Sequence, residues 1–494
     1  MSAIITEKFR QHNANQFFES FTETAGNTYY LFLGKATPFT SGTTTGSDSS
    51  PPTPQDGEQD ETRAWDAMLA AKKIASTDIT YAIPRRNWVN GTTYDMYEHN
   101  ISSANTSTSG ASNIYDSTFY FVTSDYRVYK VLDNGGGTAY DGAEPTSTST
   151  SPFELGGYVL KYMYDISTTD IGKYVTTDFI PVATDSTVST AALDGAIESL
   201  TITAGSGYTD GTYYAAVYGD GTSQGTSSGA IIRITVSSGA IAQFGLTAGT
   251  DTTVHAAGAA YTFGFVNLAA GYTFSDAGLT SASNIGGSGG VINIVISPED
   301  GHGNNAVTEL GGHYIMSAST ITQAENDDFS TANDFRQVGI VVDPTTYGTT
   351  TVASSTTARQ TNVVRFASYS GTFEADEVIT QASTGASGKV VEWDSVLQLL
   401  YYQQENFKGY GTNATTGGLV AFSGTNTITG GTSGATGVPS SESSETVTLA
   451  NSNTLTLTSG YANPELQPDS GDIIYLENRK PIQRASDQTE DIKI

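Results

Sequence analysis

Cysteine is absent from the 494-residue sequence, so neither disulfide bridges nor thiolate metal sites can hold the fold. Basic residues are scarce: 22 Lys and Arg stand against 51 Asp and Glu, and the formal net charge of −29 argues against direct binding to nucleic acid or to anionic membranes. No apolar run approaches the length of a membrane span, and residues 1–8 lack the apolar core of a signal peptide. We therefore expect a fold held by burial, in a protein made and used without crossing a membrane by a standard signal.

Catalytic sequence motifs are missing as well. The five histidines are scattered, and no H-E-x-x-H, G-x-S-x-G or phosphate-binding loop occurs. With 51 acidic residues, some carboxylate pair will lie at glycosidase spacing by chance, so composition gives no support for a hydrolase. We predict that the chain is not an enzyme and takes no cofactor.

Two stretches invite a metal-binding interpretation. Asp300, His302 and His313 form the best candidate cluster, but the glycines around the first two favour an ordinary turn. Residues 133–142 (DNGGGTAYDG) lack the alternating acidic spacing and closing glutamate of a calcium loop. We expect no functional metal at either place.

The residues that are present indicate a mainly β protein. The sequence has 53 glycines, Ser/Thr-rich stretches and many short runs of Val, Ile, Tyr and Phe, with few helix-forming stretches. Hydrophobic residues make up 37% and aromatic residues 10%, which is enough for a core and argues against disorder.

Several elements can be placed in order. A short helix is predicted after Thr6, whose hydroxyl can cap it, and residues 27–34 (NTYYLFLG) are predicted as a strand. Residues 38–60 have the composition of a long surface loop, and residues 61–74 show the clearest helical pattern, with Asp60 as the cap.

Three further strands follow. Residues 118–122 and 127–132 are predicted as two strands joined by a turn around Asp125. In residues 158–166 the side chains alternate, with Lys161 on the face opposite the tyrosines, which predicts a half-buried strand.

Two internal repeats occur in glycine-rich stretches. Residues 204–209 (AGSGYT) are echoed at 269–273 (AAGYT), and β-branched runs follow at 231–236 and 291–296, which we interpret as two copies of one β unit. In the second repeat, Ile-Thr followed by Gly-Ala and a further Gly occurs twice. The members of that repeat are Ile379, Thr380, Gly385, Ala386 and Gly388, then Ile428, Thr429, Gly434, Ala435 and Gly437. Its glycines are predicted to form tight turns between strands.

Residues 83–88 (IPRRNW) place two arginines between a proline and a tryptophan. Pro84 has a fixed φ and biases the preceding residue towards extended backbone, so a strand end or rigid loop is predicted. Arg85 and Arg86 offer planar forks of donors, and Trp88 offers a large apolar face, which favours a role as structural anchors. The alternative is an ordinary loop whose arginines form surface pairs worth at most about 1 kcal/mol.

Five segments resemble, in the same order, the baseplate wedge subunit of contractile-tailed bacteriophages, the gene-eight-type protein of the T-even phages. They are residues 78–88, 157–162, 297–303, 333–344 and the closing segment 471–482 (GDIIYLENRKPI) with 487–492. Two departures are noted. The family's closing strand continues beyond the equivalent of Ile494, and the long glycine-rich stretches have no counterpart in the T-even protein.

The resemblance implies a layered β-sandwich core with helix-bearing loops and inserted small β units. It also implies a homodimer that bridges neighbouring wedge proteins in the tail baseplate of a virion assembled in the host cytoplasm, with no nucleic-acid or membrane partner. As structural or interface anchors we single out the residues of the family-like segments that carry the most directional chemistry: Arg85, Arg86, Trp88, Arg479, Asp487 and Gln488.

The order of these segments predicts a domain map. Family-like motifs stop where the glycine-rich stretches begin and resume beyond them, as expected for insertions into surface loops. The predicted parts are a core in residues 1–183 with a helical loop near 60–75, an inserted β repeat unit in 184–296, more core in 297–344, a second inserted unit in 345–460 and a core-closing segment in 461–494.

Two other functions are weighed. A carbohydrate-binding adhesin on a virion or cell surface would explain the Gly/Ser/Thr-rich repeats and the 28 tyrosines, although many tyrosines fall at alternating strand positions where core packing explains them. An enzyme that degrades host polysaccharide is a third interpretation.

Overall fold

The structure is a computed structural model that describes most of the chain. The described residues are 4–23, 26–39, 46–221, 229–269, 278–321, 334–406, 410–412, 418–449, 452–482 and 490–494. They form a mainly β protein with several sandwich-like sheets and one closed barrel, which confirms the predicted fold class.

Five short α-helices are present in the described residues. They are α1 Glu7–Ser20, α2 Glu58–Ala67, α3 Thr168–Tyr174, α4 Ser186–Ala191 and α5 Ala306–Leu310. The predicted start of the first helix is confirmed, because the Thr6 hydroxyl accepts a hydrogen bond from Phe9 N at 3.3 Å.

The strands are listed here in chain order. They are β1 Tyr29–Gly34, β2 Met68–Lys73, β3 Ile79–Pro84, β4 Tyr120–Val122, β5 Arg127–Asp133, β6 Phe153–Leu155, β7 Tyr158–Asp165, β8 Phe179–Pro181, β9 Ile197–Thr203, β10 Ser206–Tyr208, β11 Gly211–Gly219, β12 Ile231–Ser237, β13 Ala240–Ile241, β14 Thr253–Ala256, β15 Gly264–Val266, β16 Gly286–Ser288, β17 Val291–Ile296, β18 Tyr314–Ile321, β19 Phe335–Val342, β20 Thr357–Arg359, β21 Asn362–Ser370, β22 Val378–Gln381, β23 Ala386–Asp394, β24 Leu399–Gln403, β25 Ile428–Gly430, β26 Thr436–Pro439, β27 Glu445–Thr448, β28 Thr454–Leu457, β29 Tyr461–Ala462, β30 Asp472–Ile482 and β31 Glu490–Lys493.

The predicted helix at 61–74 is only partly correct. Helix α2 begins earlier, after Gly57, whose side chain cannot cap it, and it ends at Ala67. Residues 68–73 form strand β2 because their backbone pairs with β1 on one side and β20 on the other. Sheet pairing therefore overrides the local helical pattern in the second half of this segment.

Close Cα packing divides the chain into two compact units. One unit contains residues 1–16 and 80–316, and the other contains residues 17–79 and 317–494. The chain therefore passes between units inside helix α1, inside β3 and inside β18.

The first unit is built from several antiparallel pairings. Strands β4-β5-β7-β6 form one sheet, β3 pairs with β8, and β9 pairs with β17. A further sheet has the order β13-β12-β11-β15, with β14 also on β12. An aromatic-rich cluster covers the first sheet, and a second, mainly aliphatic cluster fills the sheets of residues 197–296.

Strand β7 differs from its prediction. The strand is present, but it is buried on both faces up to Asp165, so the half-buried prediction was wrong. Leu160 and Tyr162 pack into the aromatic cluster, while Val159 packs into the aliphatic cluster together with Leu132 from β5. Lys161 is also buried, and its ammonium donates to Thr150 O at 2.6 Å.

The first predicted repeat does not yield two equivalent units. The β-branched runs form β12 and β17, but β12 lies between β11 and β14 whereas β17 pairs with β9. Most of the second copy, residues 270–273, lies outside the described residues.

The second unit contains a five-stranded sheet of order β20-β2-β1-β19-β30. Its strand β1 was predicted at 27–34, and the prediction is confirmed. Both faces of β1 are covered: Leu31 packs with residues of the α1 end such as Phe17, and Phe32 packs with Trp65 of α2. This arrangement of helix, sheet and helix is layered. Strand β31 pairs with β18 in the same unit.

A barrel occupies residues 362–439 of the second unit. Strands β24-β23-β22-β25-β26-β21 pair in this order, and β21 also pairs with β24, which closes the sheet. The second predicted repeat forms two hairpins of this barrel, in which Ile379 faces Gly388 and Ile428 faces Gly437. The prediction of tight glycine turns is confirmed by the positive φ of Gly385 and Gly434.

Candidate functional site

The anchor segment 83–88 lies where β3 leaves its pairing with β8. Arg85 N donates to Asp178 O at 2.7 Å, which extends that pairing by one residue. Beyond it the backbone joins β4, since Val122 N donates to Arg86 O at 2.7 Å and Trp88 N donates to Val122 O at 2.8 Å. The segment is thus an extended connection, as predicted, held by main-chain hydrogen bonds on both sides.

Arg86 has a largely enclosed guanidinium. It donates from Nη2 to Tyr115 O at 2.7 Å, and its carbon Cζ lies 4.4 Å from the ring centroid of Tyr120. Burial lowers the pKa of Arg86 from its ordinary value. Among the described residues no carboxylate forms an ion pair with it, and Nη1 is buried without a hydrogen-bond partner.

Arg85 and Trp88 are positioned by different contacts. Arg85 donates from Nη1 to Thr176 O at 2.9 Å and from Nε to Asn87 Oδ1 at 2.8 Å. Trp88 packs edge-to-face on Tyr140 with ring centroids 5.9 Å apart, and its Nε1 is buried without a partner. Neither arginine is therefore anchored by a carboxylate, and both bind main-chain carbonyls instead.

Arg479 lies in β30 of the second unit. Its Nη2 donates to Glu477 Oε2 at 2.8 Å and to Lys493 O at 3.2 Å. Burial acts to raise the pKa of Glu477, but the hydrogen bonds from Arg479 and Tyr475 outweigh it and leave this pKa lowered. Asp487 and Gln488, the other predicted anchors of the closing segment, lie outside the described residues.

A buried charged cluster was not predicted. The side chains of Lys130 in β5 and Glu309 in α5 are buried, and Lys130 Nζ lies 2.8 Å from Glu309 Oε2. The same ammonium lies 2.9 Å from His302 Nδ1 and 4.0 Å from the ring centroid of Tyr97. Oε1 of Glu309 accepts hydrogen bonds from Gly303 N at 2.7 Å and Asn305 N at 3.3 Å.

The electrostatics of the cluster define its protonation. Burial lowers the pKa of Lys130, and Glu309 opposes that shift. Burial, followed by the nearby charges of Lys130 and Lys161, holds the pKa of His302 well below its usual range, so the imidazole is neutral. Its Nδ1 accepts from Lys130, and Nε2 is left without a partner. Because the cluster is closed to solvent, it can join β5 to residues 302–310 but cannot receive a substrate.

The three residues of the candidate metal cluster have separate partners. His302 belongs to the buried charged cluster, and His313 Nδ1 lies 3.3 Å from Glu7 Oε2. Asp300 is in a turn at φ 63°, and its N donates to Asp194 Oδ1 at 3.1 Å. In the part of the chain that the structure describes, no group of three or more His, Cys, Asp or Glu side chains could hold a metal ion.

A sequence comparison connects this architecture to a known family. The family model described as Bacteriophage T4, Gp8 matches residues 3–143 and 443–494. The two matched segments contain 141 and 52 residues, 193 of 494 in all, so the chain is similar to Gp8 at both ends. No curated protein matches the chain at a significant level.

The likeness to Gp8 supports a structural role in the phage baseplate wedge, and with it a location in the virion tail. The family is structural and not known for catalysis. Among the described residues no helix is long and apolar enough to cross a membrane.

The match also divides the anchor residues. The first matched segment contains the anchors Arg85, Arg86 and Trp88, and the second contains Arg479. Lys130 of the buried charged cluster also lies in the first matched segment. Lys130 contacts His302 and Glu309, which both lie in the unmatched middle of the chain. The buried charged cluster therefore joins a Gp8-like strand to a segment outside the match.

Sequence reasoning missed the buried charged cluster for a physical reason. A lysine in the strand RVYKVLD is compatible with an exposed face, and only the partner, far along the chain, makes its burial favourable. The available signal was the apolar residue on each side of Lys130. The buried Lys161 also has an apolar residue on each side.

Proposed function

We propose that this Gp8-like chain acts as a homodimer that bridges neighbouring wedge proteins of the baseplate, during tail assembly and host attachment. The observation that carries the proposal is the family match at both ends of the chain, residues 3–143 and 443–494. The net charge of −29 supports it, since an acidic surface keeps subunits soluble in the host cytoplasm before assembly.

Within this proposal, Arg85, Arg86 and Trp88 act as structural anchors. Their contacts are to main-chain carbonyls and to the rings of Tyr120 and Tyr140, which favours a role in fixing the 83–88 connection. Charge pairing of Arg86 with a partner protein would need a more exposed guanidinium group.

We place the self-interface at β30, the strand that contains Arg479. This strand is 11 residues long and is the outer strand of its sheet among the described residues. Ile474 is 46% exposed on it, next to the exposed Tyr475. An outer strand with exposed apolar side chains can pair with a second copy of itself, and a two-fold axis uses one such patch twice.

Sedimentation equilibrium at micromolar concentration tests two statements: that the chain is a dimer, and that β30 forms the dimer interface. The wild-type chain is expected to be a dimer, and Ile474→Asp is expected to be a monomer because a carboxylate would be buried in the interface. Val396→Asp is the matched control, since Val396 is 87% exposed in a barrel turn, and it should stay dimeric.

The outcomes separate the two statements. A monomeric wild-type chain would refute the dimer. A dimer that persists in Ile474→Asp would refute the β30 interface and leave the dimer standing. Bridging is tested by co-purification: the dimer should retain two or more other wedge proteins when they are expressed together.

A further inference from the structure

A polar groove opens on the surface of the first unit, and none of the anchor residues that the structure describes lines it. Its volume is about 380 Å³, within the range typical of small-ligand sites. Three elements line it: the loop 98–105, strand β15 and the outward face of the β9–β17 ribbon.

The floor of the groove is a rigid pair of strands. Asn293 on β17 faces Thr201 on β9, and its Nδ2 donates to the Thr201 hydroxyl at 3.2 Å. The intervening residues Ile292 and Ile294 point the other way and are buried in the aliphatic cluster. The amide of Asn293 is therefore held in place while its oxygen stays available.

The loop 98–105 is held in one shape by its own hydrogen bonds. Ser102 and Asn105 exchange main-chain bonds, and Asn105 Nδ2 donates to Asn100 Oδ1 at 3.1 Å. His99 Nδ1 accepts from Ile296 N at 3.1 Å, which ties the loop to the end of β17. The polar groups of this wall, with Glu98 among them, are thus preorganised.

The third wall offers an aromatic surface. Phe265 on β15 is 55% exposed, an unusual position for a large apolar ring. It stacks on its cross-strand neighbour Tyr218 with ring centroids 6.0 Å apart and 29° between the planes. The stack fixes the orientation of the Phe265 ring at low entropic cost on binding.

The chemistry of the lining selects a ligand class. No lysine or arginine is among the described residues that line the groove, which disfavours phosphate, sulfate and carboxylate groups. Amides, a hydroxyl and one carboxylate suit a ligand with many hydroxyl groups, and an exposed ring suits one with an apolar face. A neutral pyranose has both features.

We propose that this groove binds a neutral saccharide unit of a surface polysaccharide. One face of the sugar ring stacks on Phe265, and its hydroxyl groups bind Asn293, Asn100 and Glu98. The groove is open to solvent, so the sugar can be part of a polymer that continues beyond it. A wedge subunit with this groove would contact host glycans directly.

Saturation-transfer NMR on the full chain tests the proposal. The probes are the methyl glycosides of glucose, galactose, mannose and N-acetylglucosamine, with glucose 6-phosphate and sialic acid as anionic probes. The variant Phe265→Ala removes the stacking ring. Its matched control is Phe263→Ala, since Phe263 is 57% exposed two residues away and does not line the groove.

We expect saturation transfer from the protein to at least one neutral glycoside and no saturation transfer to the anionic probes. Phe265→Ala and Asn293→Ala should each weaken binding by about tenfold or more, while Phe263→Ala leaves it unchanged. Absence of transfer to all four neutral probes, or equal binding by Phe265→Ala and wild type, would overturn it. So would a wedge-protein peptide that occupies the groove while no glycoside binds.

Discussion

At the scale of single residues, the arginine segment does its work through carbonyl groups and rings. We predict that Arg86→Ala lowers the free energy of unfolding by about 2–4 kcal/mol, because it removes a charged hydrogen bond to Tyr115 O and the contact with the Tyr120 ring. Arg85→Ala is the matched control and should cost about 1 kcal/mol. Urea denaturation of both variants measures the difference, and a cost of about 1 kcal/mol or less for each would show that both arginines belong to an ordinary surface loop.

The buried charged cluster gives a larger expected effect. Lys130→Met leaves the buried carboxyl group of Glu309 without its counter-charge, so the free energy of unfolding should fall by about 3–5 kcal/mol. Adding Glu309→Gln should recover most of the loss, since an amide oxygen can still accept from Gly303 N. Lys8→Met, at an exposed pair with Glu299, should change little. A double variant no more stable than Lys130→Met would contradict the ion-pair account.

Asp133 predicts a pH dependence of stability. Burial raises its pKa to about 7, against a hydrogen bond from Gly135 N that acts to lower it. Between the ordinary carboxyl pKa near 4 and this value, the folded protein holds a proton that the unfolded chain has lost, so stability falls as pH rises through that window.

The free energy of unfolding of Asp133→Asn, relative to that of wild type, should therefore increase as the pH rises. From pH 5 to pH 7 the expected relative gain is about 2–3 kcal/mol, at about 1.4 kcal/mol per unit. Thermal or urea unfolding at both pH values measures it. A wild-type and a variant curve that run parallel from pH 5 to pH 8 would show that Asp133 titrates normally.

Residue-level prediction from sequence succeeded where the chemistry is local. Pro84 places the arginines in an extended connection whatever surrounds them. Their partners could not be predicted, because Tyr115 O and Thr176 O are main-chain atoms that carry no sequence signal. The pairing of Lys130 with Glu309 was hidden for the opposite reason, since 51 acidic residues offer too many candidate partners.

At the scale of elements, the glycine pattern that occurs once in each of two hairpins predicted the turns of those hairpins. The glycine repeat predicted two turns, and the structure adds the reason for the second glycine of each copy. A Cβ on Gly388 would lie 3.1 Å from the Phe422 ring, and one on Gly437 would lie 2.6 Å from the Phe366 ring. Sequence could not predict that the hairpins pair with each other through Thr380 and Thr429 and belong to one closed barrel.

The barrel is predicted to fold alone. Its aliphatic and aromatic cluster draws only on residues 364–461, and β21 closes the sheet on β24. The two ends are adjacent, since Val363 pairs with Ala462. A fragment of residues 361–463 should show a β-sheet circular dichroism spectrum and a single cooperative melt. An unfolded or aggregated fragment would show that contacts outside the barrel are required.

The first glycine-rich stretch is expected to behave differently. Residues 197–296 share a cluster with Leu132 and Val159, and Ser199 donates to Leu132 O. Removing this stretch would uncover one face of β7. The map of a core with two insertions stays a proposal, and within it we propose that residues 345–460 hold the more independent insertion.

At the scale of the whole molecule, composition and resemblance predicted different things. Glycine, tyrosine and β-branched residues predicted a mainly β protein, which is confirmed. Composition gave no hint that the two compact units are discontinuous, because their boundaries fall inside α1, β3 and β18. The family resemblance rested on five segments, of which the family model matches the regions that contain the first and the last, residues 78–88 and 471–492. The segments 157–162, 297–303 and 333–344 lie outside the match.

The central claim is that this acidic β protein is a wedge subunit that contacts itself and other baseplate proteins. The most direct test is crosslinking mass spectrometry of intact, purified phage tails. We predict that the chain is present in the baseplate, with crosslinks between identical lysines of two copies and crosslinks to at least two other baseplate proteins. Tails that lack the chain, or that contain it without a crosslink to any other baseplate protein, would contradict the account.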